Sequence, residues 1–140
     1  MIHYRGRVFA LQRGELVVLQ RNGRTTWGLY IDAAPNGPSD RAPRLMVNGL
    51  LLPADGLAAI FDRPVTIDRG DLAGDDAPEA LIYVWDWVAV DCNSIVVRGG
   101  AAGAARVSWT GRTSDPDRYD SGAAGQDFAV ECDCAIRYAT

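Results

Sequence analysis

The chain has 140 residues, enough for one domain with a sizeable core, and it is 48% hydrophobic and 23% charged, a globular balance rather than a disordered one. All fourteen basic residues are arginine, which excludes Schiff-base chemistry, a P-loop lysine and a lysine general base. A net charge of −4 and a pI near 4.8 leave no basic footprint for nucleic acid.

The charge is unevenly spread. Residues 1–44 carry seven arginines against three acids, a net +4, and residues 45–140 carry seven against fifteen, a net −8. The opening "MIHYRGRVFALQRGE" mixes charge with apolar residues, unlike a signal peptide, and no run reaches the ~18 apolar residues of a membrane helix. Three cysteines without an export signal point to the reducing cytoplasm.

In chain order, "VFALQRGELVVLQRNGRTTWGLYID" predicts three antiparallel strands. Arg13-Gly14 marks the first turn. Asn22-Gly23 marks the second, a two-residue hairpin whose centres both need positive φ. Residues 33–44, with three prolines, read as a long surface loop. "LMVNGLLL" is a strand, or a hairpin about Asn48-Gly49. "PADGLAAIF" is a short helix with Asp55 as its N-cap, and "PVTID" is a further strand.

An acidic loop follows to Glu79; its Arg69-Gly70-Asp71 tripeptide is too short a match to carry adhesion. "EALIYVWDWVAVDC" reads as one long apolar strand with "NSIVVRG" paired beside it. "GGAAGAA" is a turn rather than a phosphate cradle, because it leads into the strand "RVSWTGR" and not into a helix. Residues 113–127 form a second acidic loop, and "FAVECDCAIRY" is the last strand. Eight or nine short strands and one short helix, in a single domain spanning 1–140, predict an antiparallel β-sandwich or a partly open barrel.

Strand alternation sorts the cysteines. Cys132 and Cys134 share a face with Phe128, Val130, Ile136 and Tyr138, opposite Glu131, Asp133 and Arg137. Cys92 falls in register with Ile82, Val84, Val88 and Val90. All three are expected in the core, where free cysteine behaves as a small hydrophobe. A zinc centre would need four ligands in turns, and His3 is the only histidine. No metal or cofactor is called for.

Two features carry a functional expectation. The opposite face of residues 81–92 presents Tyr83, Trp85 and Trp87, either packed inside a two-sided strand or open to a partner, where Trp and Tyr are enriched at binding hot spots. Asp86 interrupts the valine face, where burial would raise its pKa unless an arginine met it. The acidic loops supply Asp75, Asp76, Asp115, Asp117 and Asp120, with Tyr119 among them. They lack the calcium-loop pattern, and net negative charge suits a basic partner surface.

The expected function is therefore a cytosolic binding module: an acidic inhibitor covering the active site of a cognate enzyme or toxin, as bacterial immunity proteins do. It uses Tyr83, Trp85 and Trp87 together with those loops. No motif carries a family resemblance. A carbohydrate-binding or small-ligand module with the three aromatics as its platform is the alternative, and an enzyme built on Asp86, Asp91 and a loop acid is the third reading. Neither nucleic acid nor a membrane is an expected partner; pairing of two copies through an apolar sheet face is the alternative assembly.

Overall fold

Asn22 and Gly23 both adopt positive φ, 53° and 74°, the type I′ geometry that matches strand twist. They join β3 (Leu11–Arg21) to β4 (Arg24–Ala33), and the ladder runs from Arg21↔Arg24 without a slip to Arg13↔Asp32. This computed structural model describes residues 1–70, 78–84, 87–113 and 127–140. The other strands are β1 (Ile2–Tyr4), β2 (Arg7–Phe9), β5 (Arg44–Leu51), β6 (Val65–Ile67), β7 (Glu79–Tyr83), β8 (Trp87–Gly99), β9 (Ala104–Thr113) and β10 (Asp127–Ala139).

Seven strands close a barrel in the order β3-β4-β5-β7-β8-β9-β10, while β1, β2 and β6 are added at its edges. The closure is made by β10. Its first part pairs antiparallel with β9, and its end runs parallel to β3 from Ala135↔Glu15 to Ala139↔Leu19. The all-β expectation holds, with a closed ring in place of a sandwich or partly open barrel, and ten strands among the described residues in place of eight or nine. Inward residues alternate along each strand: Leu16, Val18, Trp27, Leu29, Ile31, Leu45, Val47, Ile95, Val97, Val107 and Trp109 are buried in one core.

Several local expectations change. Arg13-Gly14 lies inside β3 beside a bulge instead of forming a turn. Residues 45–52 are not a hairpin: Asn48 and Gly49 form a bulge in β5, with Gly49 at φ 78° opposite Gly28. The predicted helix is one 3₁₀ turn, Leu57–Ile60, with Gly56 and not Asp55 at its N-cap position. Four residues make too few backbone bonds for an α-helix.

The apolar segment 79–92 is not one strand. The chain reverses between Tyr83 and Trp87, which face each other across a β7–β8 ladder, and "NSIVVRG" continues β8. With apolar residues on both faces and no Gly, Pro or Asn, the segment's one local signal for that reversal is Asp86, a turn-favouring residue interrupting the apolar pattern. The long loop after β4 is pinned by Asp40, which accepts from Asn36 N at 2.8 Å and from Arg7 Nη2 at 2.7 Å.

Cys132 and Cys134 are buried in the barrel wall, as expected, with their sulfurs 3.8 Å apart. A thiol–thiol hydrogen bond to Cys132, and then burial, push the Cys134 thiol well above the usual range. Cys92 departs from expectation and is exposed. A bulge between Asp91 and Ser94 sets two β8 residues against Gly111, with Cys92 at φ 53°. One extra residue inverts the alternation, so Asn93 turns inward in place of Cys92. Its Nδ2 donates to Val90 O (2.7 Å) and Ile67 O (3.1 Å), and its Oδ1 accepts from Trp109 Nε1 (2.9 Å). The buried amide is thereby fully engaged, as a polar group in a core must be.

Candidate functional site

Cross-strand register assembles the site from residues far apart in sequence. Arg13 faces Asp32, Asp32 faces Arg44, Arg44 faces Tyr83 and Tyr83 faces Trp87. Directly paired residues point to the same side of a sheet. These five therefore form one row across the outside of β3, β4, β5, β7 and β8, opposite to buried Ile31, Leu45 and Ile82. Four strand steps make the row roughly 19 Å long. A second row, two residues along, holds Glu15, Tyr30, Met46 and Leu81.

Gly28 and the Asn48-Gly49 bulge bend the sheet into a concave face. Any Cβ on residue 28 would lie 2.4 Å from Val47 O, so only glycine permits this approach. The result is an open groove of about 1030 Å³ lined by five arginines and two carboxylates, with Tyr30, Met46 and Trp87.

The groove's carboxylates are covered. Arg13 donates through Nε (3.1 Å) and Nη2 (2.8 Å) to Glu15, and Arg137 reaches the other oxygen of Glu15 at 3.4 Å. Arg44 Nε donates to Asp32 at 3.0 Å. The Glu15 side chain is 17% exposed and that of Asp32 29%, whereas Arg13, Arg44 and Arg137 are all more than half exposed. The Arg13 hydrogen bond, opposed by burial and reinforced by Arg137, holds the Glu15 carboxyl below the usual carboxylate range. What this face offers to solvent is guanidinium.

Of the expected binding residues, Trp87 is 42% exposed and Tyr83 is half-buried beside it. Their ring centroids are 5.0 Å apart and inclined at 47°. Trp85, Asp86, Asp75, Asp76, Asp115, Asp117, Tyr119 and Asp120 lie outside the described residues. The described residues that flank the acidic stretches are informative. Gly70 N donates to Asp91 Oδ1 at 3.0 Å, and Gly70 O accepts from Ala80 N. Thr113 pairs with Val90, and Asp127 is bridged to Arg112 at 3.6 Å. The acidic stretches thus join the barrel on the two edges of β8, both at the level of Val90 and Asp91. Asp91 takes part in this junction through the Oδ1 that accepts from Gly70 N. Among the described residues no group of three or more His, Cys, Asp or Glu is placed to hold a metal.

Sequence reasoning missed Arg13, Glu15, Tyr30, Asp32 and Arg44 as neighbours. The Asn22-Gly23 hairpin carried the signal for part of the set, because counting outward from that turn pairs Glu15 with Tyr30 and Arg13 with Asp32. Arg44, Arg137 and Trp87 join through long-range pairings that no local pattern encodes. Comparison with known proteins gives no match to a family model, to a curated protein or to a solved structure. Function must therefore be argued from this site's own chemistry.

Proposed function

We propose that the chain is a protein-binding module, and more specifically an acidic inhibitor that covers the active or substrate-binding surface of a cognate enzyme or toxin. One observation carries the reading. The ends of both acidic stretches meet β8 at one level, and the same strand begins at the exposed Trp87, whose ring packs at an incline against Tyr83. Aromatic anchors beside like-signed charge are the ingredients of a hot spot with an electrostatic rim. Asp75, Asp76, Asp115, Asp117 and Asp120 would steer a basic surface, while Tyr83, Trp85, Trp87 and Tyr119 would fill its pockets.

The carbohydrate alternative is less well supported, since the inclined Tyr83 and Trp87 rings make a notch and not a flat stacking platform. The test is capture from a lysate of the source organism, followed by assay of the captured protein's own activity with and without the inhibitor. The expected result is one dominant partner whose activity is suppressed. Trp87→Ala should weaken binding by about thirtyfold, and neutralising the five aspartates to asparagine should slow association and flatten its salt dependence. Suppression that survives both sets of substitutions would overturn the reading.

A further inference from the structure

The groove has the opposite character to the acidic stretches, and the inhibitor reading uses only the aromatics at its edge, Tyr83 and Trp87, and none of its arginines. We infer that the concave outer face of β3, β4 and β5 binds a short, extended, acidic peptide segment of a partner protein; this goes beyond the acidic-inhibitor reading and does not rest on it.

Charge exposure is the first argument. Glu15 and Asp32 are largely covered by the arginines that pair with them, so an incoming ligand meets Arg13, Arg44 and Arg137. Among the described residues, Arg44 and Arg137 commit only Nε to these pairs. Their Nη forks remain to take a carboxylate in two parallel hydrogen bonds, the geometry in which guanidinium is most selective. Arg21, at the far end of the groove beside the Asn22-Gly23 turn, adds a further positive charge.

Shape is the second. The row from Arg13 to Trp87 is long enough for about six residues of extended chain at roughly 3.3 Å each. Tyr30 and Met46 face each other in the row between the Arg13–Asp32–Arg44 line and the Gly28 floor. They offer an apolar strip to the alternate side chains of an extended ligand, whose acidic side chains would meet the arginines.

Overall charge decides between anionic partners. A single-stranded nucleic acid would also suit arginine and exposed aromatics, but a long polyanion leaving the groove meets a chain of net charge −4. It would also meet the exposed carboxylates Glu131 and Asp133, a few residues before Arg137 on β10, the strand beside β3. A short acidic peptide ends before that repulsion accumulates.

The test uses the intact chain and a fluorescein-labelled hexapeptide with glutamate at every second position and leucine between. Its glutamine counterpart and a six-nucleotide oligothymidylate serve as competitors, all at low salt and followed by anisotropy. The acidic peptide should bind and the glutamine peptide should not. Arg44→Gln and Arg137→Gln, both at exposed positions, should each weaken binding by about tenfold. Tyr30→Ala should weaken it independently of salt. Neutralising the acidic stretches should leave peptide binding intact or tighten it, which separates failure here from failure of the inhibitor reading. No binding, equal binding of the glutamine peptide, tighter binding of the oligonucleotide, or affinity unchanged in both arginine variants would each overturn the proposal.

Discussion

Two neighbouring stretches of the barrel wall use the same ingredients to opposite effect. On β3, β4 and β5 the carboxylates Glu15 and Asp32 sink beneath arginines. On β9 and β10, Arg106 bridges Glu131 at 3.5 Å and Asp133 at 3.4 Å, yet those carboxylates remain 56% and 73% exposed. The difference arises from side-chain placement. Arg13, two residues before Glu15 on β3, and Arg137 from the neighbouring β10 converge on that one glutamate. The β9–β10 ladder runs nine pairs from Asp127↔Arg112 to Ala135↔Ala104 without a slip, and its paired carboxylates keep most of their surface in water. A chain that is acidic overall thereby keeps one cationic face.

The largest effect expected from breaking this contrast is at Gly28. Gly28→Ala puts a methyl against Val47 O and within 3.1 Å of Asn48 Cα, both of them backbone. No rotamer change relieves such a clash, and the sheet must shift. The expected cost is about 3 kcal/mol, equivalent to a melting-temperature fall of roughly 10 °C for a domain of this size. The groove should lose its arginine-dependent ligand binding with it. Unfolding by heat and by urea checks the stability, and an unchanged midpoint would mean that the bend does not depend on the absence of a side chain.

The same residue shows why the sequence was only partly legible. Asn22-Gly23, the alternation around Cys132 and Cys134, and strands such as 65–67 and 106–112 could be read locally, because turn chemistry and period-two burial are properties of adjacent residues. The bulges at Asn48-Gly49 and at Cys92-Asn93 could not be. Each depends on what lies opposite, Gly28 and Gly111 respectively, and each moves the residues that follow it to the other face. Strand alternation alone therefore puts Cys92 inside and gives no reason to look at Asn93. Closure through the parallel β3–β10 pairing is likewise a contact between the two ends of the chain. The groove depends on both kinds of information, which is why the sequence pointed to the aromatics at its edge and not to the arginines that line it.

A smaller effect, but a more specific one, is expected from Glu15→Gln. The carboxyl of Glu15 titrates below its unfolded-state value, near 4.3, because Arg13 donates to it and Arg137 adds positive charge. A group with a depressed folded-state pKa contributes stability above the unfolded pKa and loses it as pH falls through the folded one. Parent and variant should therefore differ in melting temperature at pH 7, and the difference should begin to shrink as pH falls below the unfolded-state value and keep shrinking as pH falls through the lowered folded-state one. Asp40, held low by the Asn36 amide and by Arg7, is present in both proteins and cancels from the comparison. A gap that does not change at all with pH would show that the loss came from packing and not from charge.

The smallest effect is expected from Glu131→Gln, the matching change on the exposed part of β10. Glu131 also has two partners, Arg106 and the Ser108 hydroxyl, so a count of contacts would make it the equal of Glu15. Exposure says otherwise. With more than half its side chain in water, the carboxylate exchanges one well-hydrated environment for another on folding, and the longer Arg106 contact is screened by solvent and salt. The substitution should change stability by less than about 0.5 kcal/mol, with the glutamine oxygen still able to accept from Ser108. Urea unfolding of both variants at low and moderate salt is the direct comparison. Equal losses at residues 15 and 131 would mean that the concave face confers no electrostatic advantage, and the reason for regarding its arginines as a binding surface would fall with it.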